Sequence, residues 1–151
     1  MLQAGGSAGP VVEASGEHTW PGTLSIMGWE VDAQGFGVVF DKAIPPFARE
    51  NLAPALGGIV ERMGRSMSDV GRFICHPGGQ KVIAALEESL ELQAGTLDHE
   101  REVLAECGNM SAPTVLFVLD RVMREGLPPR ALVNAMGPGF TASAVMLRRG
   151  A

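Results

Sequence analysis

The chain has 151 residues, 46% of them apolar and 19% charged, with a mean hydropathy of +0.14. One domain of ordinary size fits that length, and this much apolar material excludes a disordered chain. Twelve Lys and Arg against seventeen Asp and Glu give a net charge of −5, so the basic footprint of a nucleic-acid binder is absent.

Met1 to Pro10 is rich in Gly, Ala and Ser and has neither a charged nor a long apolar stretch. It reads as a flexible N-terminal segment rather than a secretory signal, ahead of a single domain over 11–151. Val11-Val12 opens a first strand, Thr23 to Met27 alternates polar and apolar, and Gly35 to Phe40 predicts another strand. Pro45-Pro46 starts a helix where missing N–H groups cost nothing. Leu52, Leu56, Ile59 and Met63 then mark one helical face, although Pro54 should bend that helix early. Gly64 to Asp69 is a polar loop. Arg72 to His76 predicts a short strand, closed by Pro77-Gly78-Gly79 and followed by a helix over Gln80–Leu92. Further helices fit Asp98–Glu106 and Ala112–Glu125, and the second of these, with Val115, Leu116, Val118, Leu119 and Val122, should be buried nearly all round. Ala131–Met136 and Phe140–Leu147 predict two strands around Gly137-Pro138-Gly139. No run approaches the roughly 18 apolar residues of a membrane span. The class is α/β, layered.

His76 stands at the carboxyl end of a predicted strand, the edge where open α/β sheets bind ligands. The same position also suits a histidine that merely bonds a neighbouring carbonyl. Cys75 and His76, adjacent on a strand, point to opposite faces, so they do not form a catalytic pair, and Cys75 reads as a small buried hydrophobe. Cys107 sits at a helix end. Two cysteines make no disulfide scaffold, which places the chain in the cytoplasm by expectation, and with His18 and His99 isolated there is no metal-ligand spacing. Asn109 and Ser111, in Gly108-Asn-Met-Ser111, are candidates either for the N-cap of the next helix or for a fixed donor into a cleft. Gly137-Pro-Gly-Phe-Thr-Ala142 formally matches a relaxed dinucleotide pattern, but strand follows it and the chain ends nine residues later. A hairpin turn is the better reading.

Taken in order, His76-Pro-Gly-Gly79, Gly108-Asn-Met-Ser111 and Gly137-Pro-Gly-Phe140 resemble the C-terminal half of the type III polyketide synthases, the chalcone and stilbene synthase family. Met27-Gly-Trp-Glu-Val-Asp32 with Gly35-Phe36 resembles the bacterial branch that makes alkylresorcinols and alkylpyrones. The resemblance spans about Val11 to Arg148. Ketosynthase III, which shares the thiolase fold, is the nearest rival. The Pro-Gly-Gly after His76 and the Pro138 of the turn favour the polyketide synthases, while Ala112 leans towards ketosynthase III. Pro113 fits neither pattern well, and Gln80 is a minor departure.

The resemblance implies a thiolase-like half with a mixed sheet of about five strands packed with helices. It implies an acyltransferase in which a cysteine thiolate takes an acyl group from coenzyme A and malonyl-CoA loses carbon dioxide. The resulting enolate then attacks the thioester. His76 would pair with the thiolate, and Asn109 would join it in holding the thioester oxygen. Val38 stands at a gatekeeping position and, being small, suits a fatty-acyl starter. Gly78, Gly79, Ser111, Gly137, Pro138 and Gly139 are expected to line the substrate cavity. No cofactor is expected beyond the substrates acyl-CoA and malonyl-CoA. The family nucleophile lies in the N-terminal half, which this sequence lacks, so the chain alone should be inactive, should associate with that half, and should form a homodimer when whole. A half-fold kept as a non-catalytic assembly or ligand-binding module is the alternative from another class.

Overall fold

The computed structural model describes residues 9–150, so the expectation of a flexible segment over 1–10 falls almost wholly outside the described residues. In chain order the elements are β1 (Val11–Thr19), β2 (Met27–Asp32), β3 (Gly35–Phe40), α1 (Ile44–Arg62), β4 (Arg72–Cys75), α2 (Gln80–Ser89), α3 (Asp98–Cys107), α4 (Thr114–Glu125), β5 (Arg130–Gly137) and β6 (Thr141–Arg148). The main sheet runs β1-β6-β5-β4. Only β4 and β5 pair in parallel, and the neighbouring pairs are antiparallel. The α/β class is as expected. The expected mixed sheet packed with helices is present with four strands, beside a separate β2–β3 hairpin.

Alternation along the strands sorts the core into two layers. Cys75, Leu132, Ala144 and Met146 face α1 and α2 with Leu52, Leu56, Ile59, Ile83 and Leu86. Ile74, Ala131 and Leu147 face the other way, towards Val103 of α3 and Val115, Val118 and Val122 of α4. The sheet is thus sandwiched between helices, as a domain with strands apolar on both faces requires. α1 runs unbroken through Pro54.

Two expectations need correction. Thr23 to Met27 is not a strand. Thr23 Oγ1 lies 2.6 Å from the Trp20 carbonyl and 2.8 Å from that of Gly139, and the Ile26 N–H bonds back to the Thr23 carbonyl. These bonds, two of them local and one to the distant Gly139, make a turn and delay the strand to Met27. Nor is α4 buried all round: Leu116 is 58% exposed and Phe117 49%, because the helix packs on the sheet and α3 along one side only. The expected polar loop over 64–69 ends in a single 3-10 turn, Met67–Asp69, capped by Ser66.

The hairpin's base is anchored and its length is not. Met27 packs with Ile44 and Phe140, and the Gly139 N–H donates to the Met27 carbonyl at 2.8 Å. Beyond that, Trp29, Val31, Phe36 and Phe40 are exposed. Gly139, at φ +80°, takes the left-handed conformation that its turn requires and that glycine adopts without strain.

Candidate active site

The site grows out of the β4 ladder. The His76 N–H donates to the Asn134 carbonyl at 2.9 Å and extends the parallel pairing one residue past Cys75. Pro77 then stops the strand, and the Gly78 N–H turns back to the His76 carbonyl at 3.0 Å. Because Cys75 points into the α1–α2 core, His76 falls on the opposite face, at the carboxyl end of the only parallel strand pair among the described residues.

There the structure has a cavity of about 450 Å³. It brings together Val38, His76, Gly78, Asn109, Ser111, Gly137 and Pro138, seven of the residues anticipated from sequence. Gly79 and Gly139 are not among its lining residues. Gly79 instead begins α2, where its carbonyl accepts the Ile83 N–H, and Gly139 is tied to Met27 and Thr23. A Cβ at Gly78 would stand 3.7 Å from Val82 and 3.9 Å from His76, ordinary contact. The bareness of Gly78 therefore opens the cavity rather than relieving a clash.

Asn109 is positioned by its own carboxamide. Its Oδ1 accepts the Ser111 N–H at 2.9 Å, and Nδ2 donates to the Gly78 carbonyl at 3.1 Å. The carboxamide has two N–H donors, so one remains beyond the bond to Gly78. Neither Asn109 nor Ser111 is the N-cap of α4. Pro113 holds that position, while Thr114 Oγ1 accepts from the Met110 N–H and bonds the Ser111 carbonyl, both at 2.8 Å. Ser111 sits at φ +64°, a conformation uncommon for a side-chain-bearing residue. The loop is thus held at both ends around the cavity.

His76 is half-buried, its Nδ1 is buried without a hydrogen-bond partner, and burial pulls its pKa below the ordinary imidazole value. Cys75 is fully buried, burial pushes its thiol pKa far up, and its Sγ meets Asn134 Nδ2 at 3.2 Å. Such a thiol is no nucleophile. The rest of the wall is mostly apolar and includes Met27, Trp29, Phe40, Ile44 and Val82, none of them expected from sequence to line it, with Thr141 and Ser143 as polar exceptions. Trp29 stands directly across the hairpin from Val38, and period-two alternation could have put it beside that residue. Thr141 and Ser143 share a face of β6 by the same alternation. Among the described residues no three His, Cys, Asp or Glu side chains gather as a metal site.

Residues 12–150 match the family described as chalcone and stilbene synthases, C-terminal domain. The chain is 41% identical to a 1,3,6,8-tetrahydroxynaphthalene synthase of Streptomyces peucetius subsp. caesius, over 98% of this chain and 42% of that protein. It is 34% identical to a putative chalcone synthase of Bacillus subtilis, over 80% of this chain and 34% of that protein. The crystal structure of the tetrahydroxynaphthalene synthase of Streptomyces coelicolor A3(2), a bacterial type III polyketide synthase, superposes with a TM-score of 0.87 at 30% identity. That match covers 99% of this chain and 44% of the other. The chain therefore spans less than half the length of these relatives and belongs, as its C-terminal domain, to the chalcone and stilbene synthase family.

Proposed function

We propose that this domain supplies the His76–Asn109 half of a Cys–His–Asn site for decarboxylative Claisen condensation of malonyl-CoA onto an acyl-CoA starter. The supporting observation is that the His76 imidazole, whose Nδ1 has no hydrogen-bond partner, and a held carboxamide line one mostly apolar cavity. In that cavity Asn109 donates to the thioester oxygen without trading protons, and His76 donates beside it as carbon dioxide leaves and the enolate forms. The enolate carbon then attacks the acyl thioester, and the thiolate leaves. The thiolate comes from an N-terminal half, since the family places its nucleophile there and Cys75 is buried away from the cavity. Beside His76 that thiolate stabilises the imidazolium and opposes the effect of burial.

The chain alone is inactive and acts with the N-terminal half, as a homodimer, in the cytoplasm, with no cofactor beyond its CoA substrates. No described helix is long and apolar enough to cross a membrane. The apolar wall and the small Val38 suit a fatty-acyl starter. A second reading, favoured by the 41% identity to a tetrahydroxynaphthalene synthase, is that the product is a tetrahydroxynaphthalene.

The test mixes the chain with a Cys-bearing N-terminal half and follows carbon dioxide release from malonyl-CoA. His76→Ala and Asn109→Ala should each lower the rate by about 10²–10³-fold. Full activity in both variants contradicts the assigned roles. Mass spectrometry of products formed with acyl-CoA starters of graded length separates alkyl-bearing polyketides from an alkyl-free tetrahydroxynaphthalene.

A further inference from the structure

Glu100 is the most deeply buried carboxylate of the fold, at 0% exposure. Its Oε1 accepts the Cys75 N–H at 2.8 Å, while Oε2 is buried without a hydrogen bond, with Arg72 Nη2 at 3.6 Å. Glu87, also buried, is used very differently. It holds both Arg101 nitrogens at 2.7 Å and accepts the Gly95 and Leu97 N–H groups. Glu87 is a saturated anchor. Glu100 makes one hydrogen bond to the rest of the fold through its side chain, and that bond lands on the residue immediately before His76.

The topology explains why such a bond is needed. β4 pairs only with β5 among the described residues, so alternate N–H groups on its outer side have no strand to bond. Cys75 presents its N–H to that side, at a fully buried position, where an unmet donor is costly. On the inner side Asn134 completes the grip: its carbonyl takes the His76 N–H and its Nδ2 bonds Cys75 Sγ. Packing alone would be served by an apolar side chain at 100, without the desolvation penalty of a carboxylate.

We infer that Glu100 is a positioning residue for His76: through the Cys75 amide, and with Asn134 on the other side, it fixes the strand end from which the imidazole enters the cavity. This rests on the assignment of His76 to the proposed chemistry, but its physical core is a statement about the geometry of β4.

The experiment compares three variants of the chain by amide hydrogen exchange and by NMR titration of the His76 ring. Glu100→Gln keeps an acceptor at Oε1, Glu100→Asp withdraws it by one methylene, and Glu100→Leu deletes it. Exchange at the Cys75 amide should rise about tenfold in the leucine and aspartate variants, and the His76 titration midpoint should move. Amides of β1 and β6 should be unchanged, and the glutamine variant should match the wild type within about twofold. If the leucine variant does not fold, the aspartate and glutamine pair makes the same comparison. Unchanged Cys75 exchange and His76 titration in the aspartate variant overturn the inference, as does a glutamine variant that behaves like the aspartate one. With the Cys-bearing half supplied, Glu100→Asp should lower kcat by about tenfold with KM for malonyl-CoA unchanged. Both NMR readouts stand without turnover. An enzyme that never decarboxylates malonyl-CoA therefore refutes the proposed chemistry, whereas unmoved NMR signals refute the role of Glu100.

Discussion

At the scale of single residues, buried charge separates what holds the fold from what serves the site. Arg101 grips Glu87 through two hydrogen bonds and, against the opposing effect of burial, holds its carboxyl at about 2, below the ordinary 4.5. A carboxylate with a depressed folded pKa contributes stability that is fully present above its unfolded value and is lost as pH falls through the folded one. Acid unfolding should therefore draw on Glu87 between about 4.5 and 2, and Glu87→Gln should flatten the stability profile in that window. Glu87→Ala, which leaves the buried Leu97 amide without its acceptor and a partly exposed Arg101 without its partner, should cost about 1–3 kcal/mol in chemical denaturation. A loss well under about 1 kcal/mol would show that the pair contributes little, as exposed pairs do. His99 works with the opposite sign. Burial lowers its pKa, but the hydrogen bonds its ring N–H groups donate to Glu125 and Glu102 outweigh burial and raise it overall. Its contribution is complete in acid below the ordinary imidazole range and fades as pH rises through the folded value.

At the scale of elements, the β2–β3 hairpin depends on one close approach. A Cβ on Gly28 would lie 2.4 Å from the Leu24 carbonyl oxygen, a backbone atom that cannot simply rotate aside. Gly28→Ala should therefore push the hairpin from the 20–25 turn and cost about 1–3 kcal/mol in thermal unfolding, with a changed Trp29 emission. An unaltered melting curve and spectrum would mean that the hairpin does not rest on this contact. Much of this architecture is legible in the residues. The period-two rule put Cys75 and His76 on opposite faces, and apolar spacing located α1 and α2. What escaped depends on contacts between distant segments. Thr23 reads as part of a strand until the Gly139 carbonyl, 116 positions away, is within reach of its hydroxyl. Leu116 and Phe117 read as core because sequence does not say which side of a helix will find cover. Gly79 and Gly139 lie within site motifs, yet one starts a helix and the other closes a turn. Glu100 was invisible as well, since nothing local tells a buried carboxylate from a solvated one.

At the scale of the whole molecule, two faces of the domain are apolar and uncovered: the hairpin, with Phe36 78% and Trp29 55% exposed, and the outer side of α4 with Leu116, Phe117 and Met123. Contiguous apolar surface of this kind marks a site of association. The hairpin face also borders the cavity, through Trp29, Val38 and Phe40. A partner docked there would close the cavity and exclude water from it, which strengthens the hydrogen bonds that an oxyanion receives. The proposed cysteine-bearing half would have to reach this cavity to bring its thiolate beside His76. If His76 and Asn109 hold one oxygen together, their effects are not independent, because losing either donor already disables the shared hole. The decisive measurement is a double-mutant cycle on carbon dioxide release from malonyl-CoA, with His76→Ala and Asn109→Ala made singly and together in the chain supplied with its partner half. The double variant should be only slightly slower than the worse single one. Losses that multiply, or a single variant at the full rate, would contradict a common site for the two side chains.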